Sequence, residues 1–127
     1  MKKRIIALIT MLALCISMFC ISASAASATV TKTVDGVTRT ISCYLYRTYS
    51  NVTASMSGAG NSRTAISGTC TQTTSNGAGT YYRSFSASGI GSCSTSVGPI
   101  ASGYVITYAY ATYYAGANNL VVTSLSA

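Results

Sequence analysis

Thr29-Val-Thr-Lys-Thr-Val34, then Asp35-Gly36, then Val37-Thr-Arg-Thr-Ile-Ser-Cys-Tyr-Leu-Tyr46 is the stretch that decides the fold. Two alternating runs of β-favouring residues flank Asp-Gly, a dipeptide that tolerates the two positive φ angles of a type I′ turn, so the segment reads as a β-hairpin. A two-residue turn leaves only one register. Val34 faces Val37, Lys32 faces Arg39 and Val30 faces Ile41 on one side, while Thr33/Thr38, Thr31/Thr40 and Thr29/Ser42 line the other. One face is thus apolar with a basic pair inside it, and the other is a ladder of hydroxyls. Like charges directly across a ladder repel, so Lys32 and Arg39 are expected at a sheet rim, where their stems cover the core edge and their heads reach water. A shared anion is the alternative, and it makes this pair the anion-binding candidates.

Downstream of the hairpin the same pattern recurs. Runs at Asn51 to Ser57, Arg63 to Thr71, Thr80 to Ala87 and Cys93 to Val97 are separated by Gly-x-Gly turns, whose glycines supply positive φ. No Gly-Lys-Ser/Thr follows any of these turns, which excludes a phosphate-binding loop. Gly98-Pro99 breaks to the longest run, Gly103 to Tyr114, which is answered by Leu120 to Leu125. Spacing of about a dozen residues with no helical period predicts an all-β fold, a small antiparallel β-sandwich of about seven or eight strands.

The longest run carries Tyr104, Ile106, Tyr108, Tyr110 and Tyr114 at even positions, and Val105, Thr107, Ala109, Ala111 and Tyr113 at odd ones. From position 26 onward the chain has only eighteen Val, Ile, Leu, Met and Phe, so the bulky even face is expected to pack inward and make up the missing volume. If the small odd face packs inward instead, Tyr104, Tyr108, Tyr110 and Tyr114 become an exposed stripe able to stack on sugar rings or sit at an interface. They are the surface-binding candidates.

Upstream of the hairpin, Lys2, Lys3 and Arg4 precede an apolar run from Ile5 to Ile21 that closes on Ala23-Ser24-Ala25. That is the pattern of a secretory signal peptide with a small-x-small cleavage site, giving a leader over 1–25 and a single domain over 26–127. The expected product is secreted, with no integral membrane span after cleavage. Its charge comes from Lys32, Arg39, Arg47, Arg63 and Arg83 against Asp35 alone, a net +4 without any basic run, which argues against nucleic acid as a partner.

Cleavage reduces five cysteines to Cys43, Cys70 and Cys93. An odd number in an exported chain implies one bridge and a spare thiol, a disulfide-linked dimer, or no bridge. Cys43 lies between Ile41 and Leu45 on an apolar strand face and reads as a buried thiol, which leaves Cys70 with Cys93 as the disulfide candidates.

The missing residue types bear most on function. The chain has no histidine, and its only carboxylate side chain sits in the Asp35-Gly36 turn. General acid–base chemistry, paired-carboxylate glycoside hydrolysis and oxygen-rich calcium sites all lack their groups, and without close Cys pairs zinc is also without a site. The expectation is a protein that is no enzyme and carries no metal or cofactor. It acts as an extracellular binding or structural module towards cell wall, glycan or further copies of itself. A secreted bacteriocin-like or toxin-like protein acting on a bacterial envelope is the alternative. The protein recovered from the culture medium should begin at Ala26 by N-terminal sequencing; a product retaining Met1 in the membrane fraction would refute the leader.

Overall fold

The computed structural model describes residues 23–74 and 76–127, which form eight strands and no helix. They are β1 (Ser24–Val34), β2 (Val37–Arg47), β3 (Val52–Ser57), β4 (Arg63–Thr74), β5 (Thr80–Ile90), β6 (Cys93–Val97), β7 (Tyr104–Ala115) and β8 (Leu120–Ser126). Two antiparallel four-stranded sheets, ordered β1-β2-β3-β6 (sheet A) and β5-β4-β7-β8 (sheet B), face each other across one core as a β-sandwich. The leader reading falls on residues 1–22, which lie outside the described residues, and on Ala23 to Ala25. Because β1 begins at Ser24, a cut after Ala25 would shorten that strand by two residues.

The first hairpin has the register that its turn dictates. Val34 pairs with Val37, Lys32 with Arg39 and Val30 with Ile41, without a break back to Ser24 opposite Arg47. Asp35 (φ 48°) and Gly36 (φ 80°) both occupy the left-handed region, as a type I′ turn requires. The threonine rungs touch: Thr31 and Thr40 hydroxyls lie 3.3 Å apart, Thr33 and Thr38 3.4 Å, and Thr29 and Ser42 3.5 Å.

Inward-facing Ile41, Leu45, Val52 and Met56 of sheet A pack against Ile66, Phe85, Ile106 and Val122 of sheet B. The expectation that the bulky even face of β7 fills this core is overturned. From Ala109 onward it is the odd residues Ala109, Ala111, Tyr113 and Ala115 that are buried, while Tyr108 and Tyr110 are 47% and 43% exposed. The cause is a bulge. Thr71 pairs with Tyr108 but Gln72 pairs with Ile106, so Thr107 is an extra residue that reverses the inward parity of the strand between Ile106 and Ala109. The volume that the tyrosines do not supply comes from two rings. Tyr113 is fully buried, and the Phe85 ring lies over Gly68, where any β-carbon would collide with it and with the Tyr110 carbonyl.

Polar groups also tie the two sheets together. The Tyr113 hydroxyl donates to the Tyr44 carbonyl at 2.7 Å, and Arg47 donates to the Ile106 carbonyl at 3.1 Å. Buried Gln72 accepts from the Ile100 amide at 2.7 Å. The Tyr113→Phe variant leaves the Tyr44 carbonyl without this donor and should cost about 1–3 kcal/mol in urea unfolding; an unchanged midpoint would show that the bond contributes nothing net.

Candidate functional site

The outward faces of the two sheets are the surfaces on which this chain has chemistry to offer. Sheet A presents, strand by strand, the rows Thr31–Thr40, Thr29–Ser42–Ser57, Ser27–Tyr44–Ser55–Ser94 and Ala25–Tyr46–Thr53–Ser96. The hydroxyl ladder legible in the hairpin therefore runs across four strands. Tyr44 and Tyr46, two residues apart on β2, stack with centroids 6.4 Å apart and planes 12° from parallel. No charged side chain interrupts these rows.

Sheet B presents Tyr82–Thr71–Tyr108, Ser84–Thr69–Tyr110–Ser126, Ser86–Ser67–Thr112–Ser124 and Ser88–Ala65–Tyr114–Val121. Tyr82, 72% exposed, and Tyr108 flank Thr71 two strand spacings apart, roughly 9.5 Å, with Tyr110 one row further along β7. Thr112 donates to the Tyr110 phenol at 3.3 Å and lies 3.1 Å from Ser124. Hydrogen bonds from the Ser124 and Thr112 hydroxyls lower the Tyr110 phenol below its ordinary range, since they favour the phenolate. Beside this patch, Ala65, Ser67, Tyr114 and Asn119 line a shallow depression of about 230 Å³.

Of the four tyrosines singled out from the sequence, the structure brings Tyr108, Tyr110 and Tyr114 to this outer face. Tyr104 lies apart from them, on the Ile106 side of β7, where it packs edge-on against Tyr81 at 5.1 Å. Sequence reasoning missed Tyr82, Tyr44 and Tyr46. Their signal was available in the period of two: Tyr44 and Tyr46 fall on the same face as the threonine ladder of β2.

Lys32 and Arg39 are opposite one another, as their spacing implies, and both are half-buried. The Arg39 guanidinium lies over Gly60 of the β3–β4 turn, so close that a β-carbon at residue 60 would strike it, and its Nε is buried without a partner.

Cys70 and Cys93 lie in different sheets, and Cys43, Cys70 and Cys93 are all free thiols. The bridge expected between Cys70 and Cys93 is absent from this structure; these sulfurs pack as core groups, Cys70 accepting from the Gln72 amide at 3.5 Å. Burial, with the neighbouring Cys93 as the lesser cause, pushes the Cys43 thiol up to about 11, which keeps it protonated and a poor nucleophile at neutral pH.

The lone carboxylate is spent on architecture. Asp35 accepts from the Ala117 amide at 3.0 Å and so joins the β1–β2 turn to the β7–β8 turn, at the edge of a cavity of about 240 Å³ lined by Val34, Gly36, Gly116 and Leu120. The Ala117 amide, and after it the Ser62 hydroxyl, hold the Asp35 carboxyl below its usual range.

Comparison of the chain with protein-family models, with curated proteins and with solved structures finds no match in any of the three. The two faces therefore stand on their own chemistry. Tyr108→Ser and Tyr110→Ser, which remove exposed rings, should each shift the unfolding free energy by no more than about 0.5 kcal/mol; a loss of several would place those rings in the core.

Proposed function

We propose that this chain is an exported, non-catalytic contact protein whose outer sheet faces bind neutral glycan of a cell wall or cell surface. The row Tyr82–Thr71–Tyr108, with Tyr110 in the next row and no charged side chain in either, is the observation that carries the reading. A sugar ring offers a C–H face that packs on an aromatic ring and a rim of hydroxyls, and Ser, Thr and Tyr hydroxyls both donate to and accept from such a rim. Two rings separated by a pair of strand spacings suit an extended chain of linked sugars better than a single residue. The exported character rests on the Lys2 to Ala25 pattern, and the lack of catalysis on the absence of histidine and the engagement of Asp35 with Ala117.

Retention on insoluble wall material tests the reading. The purified protein should co-sediment with delipidated cell wall, with little loss between ~0.05 and ~0.5 M salt because no ion pairs are involved. The double variant Tyr82→Ser, Tyr108→Ser should lower the bound fraction at least about tenfold, an amount two lost stacking contacts can supply. Retention that the double variant leaves intact would refute the site. Growth inhibition of related strains without wall retention would favour the bacteriocin-like alternative in its place.

A further inference from the structure

The sandwich has four edge strands, and they are not equally protected. On β6 the edge is only Cys93 to Val97 and stops just short of Pro99. The β8 edge is seven residues long and its pairing with β7 is broken by a bulge at Tyr113/Tyr114. Along β5 the chain after β6 closes in: Arg83 donates to the carbonyls of Gly98 and Pro99 at 3.0 and 3.2 Å, and the Ser92 carbonyl crowds Gly89. Short length, bulges, proline, charge and covering loops are the means by which sheets keep their edges from pairing.

None of these protects β1. It runs from Ser24 to Val34 in unbroken register with β2, keeping nine residues, Ala26 to Val34, after the expected cut, contains no proline, and has Lys32 as its only charged side chain. The type I′ turn makes Val34 and Val37 a hydrogen-bonded pair, so by alternation the even residues of β1 bond to β2. The odd residues Ser27, Thr29, Thr31 and Thr33 then direct their N–H and C=O groups to the free edge. Among the described residues no backbone hydrogen bond outside the β1–β2 ladder reaches this strand.

We propose that this edge pairs antiparallel with β1 of a second copy of the chain, about a two-fold axis at Thr29, joining two copies of sheet A into one continuous sheet. The sequence of the strand is self-complementary in that register. Thr29 meets Thr29, Val30 meets Ala28 and Thr31 meets Ser27 of the second copy, so hydroxyls oppose hydroxyls and apolar groups oppose apolar ones. Lys32 lies opposite Ala26, whose α-amino group is the one like charge of that copy near it after the expected cut. The two Lys32 side chains are displaced along the strands by about 20 Å, too far to repel strongly at ordinary salt. The hydroxyl rows of sheet A would continue across the axis. Pairing through backbone groups of β1 is independent of what the outer faces bind.

Sedimentation of the protein, expressed as the full chain and purified as its host processes it, gives the test. With reductant present, dimer should accumulate as concentration rises towards ~0.1 mM, in keeping with a small edge-to-edge interface. Thr29→Lys sets two like charges opposite each other on the axis, and Thr31→Pro removes a donor from the free edge while sparing the bonds to β2. Each should move half-association to at least about tenfold higher concentration. Ser84→Lys on β5, the other long edge, should leave it unchanged. Thr29→Cys should oxidise to a dimer linked through residue 29, since paired Cα atoms near 5.5 Å lie within disulfide reach. A protein that stays monomeric at ~0.1 mM, a dimer abolished by reductant, or a dimer that both β1 variants leave intact would each overturn the proposal.

Discussion

The rest of the structure depends on a shortage of apolar volume. A domain of about a hundred residues must bury enough surface to offset the entropy of ordering its backbone, and this one has few large aliphatic side chains to do it with. The core is accordingly thin. It consists of Val34, Ile41, Leu45, Val52 and Met56 from sheet A, Ile66, Ile106 and Val122 from sheet B, several alanines and thiols, and the rings of Phe85 and Tyr113. Tyr113 is the only one of the ten tyrosines that is buried, and it is also the one whose hydroxyl finds a carbonyl on the opposite sheet. A buried phenol without a partner would cost about 1–3 kcal/mol, which the bond to the Tyr44 carbonyl removes.

The same shortage accounts for the distribution of charge. Arg47, at the end of β2, bonds the Ile106 carbonyl of the opposite sheet, Arg83 closes the loop after β6, Arg39 lies over the β3–β4 turn, and Asp35 clasps the β7–β8 turn. Three of these groups, Arg47, Arg83 and Asp35, bond backbone groups of other segments and so lie off the sheet faces. What remains on the outer faces is mostly serine, threonine and tyrosine, with Arg63 exposed at the start of β4. A surface of that kind would interact through hydrogen bonds and ring contacts, with little dependence on ionic strength, which is why we propose a neutral polyol as its partner. The unguarded β1 edge belongs to the same economy of charge, since a strand carrying a single lysine has little with which to repel another strand.

The amino-acid pattern alone gave the hairpin from Thr29 to Tyr46 and its pairs from Thr29/Ser42 to Val34/Val37, because a two-residue Asp-Gly turn admits one register and alternation then assigns every side chain to a face; the extension of β1 back to Ser24 came from the structure. The antiparallel sandwich class, with about seven or eight strands expected and eight present, and the placement of Cys43 in the core likewise follow from a period of two punctuated by glycine turns. Which face of β7 is buried could be decided only by the tertiary structure. A bulge is a mismatch between two strands, set by how Thr71 and Gln72 meet Thr107, and nothing within either strand announces it. The grouping of Tyr82 with Tyr108, the separation of Cys70 from Cys93 into facing sheets and the exposure of the β1 edge were likewise settled by strand order. Strand order depends on contacts distant in sequence, and a local pattern of apolar and polar residues carries no record of them.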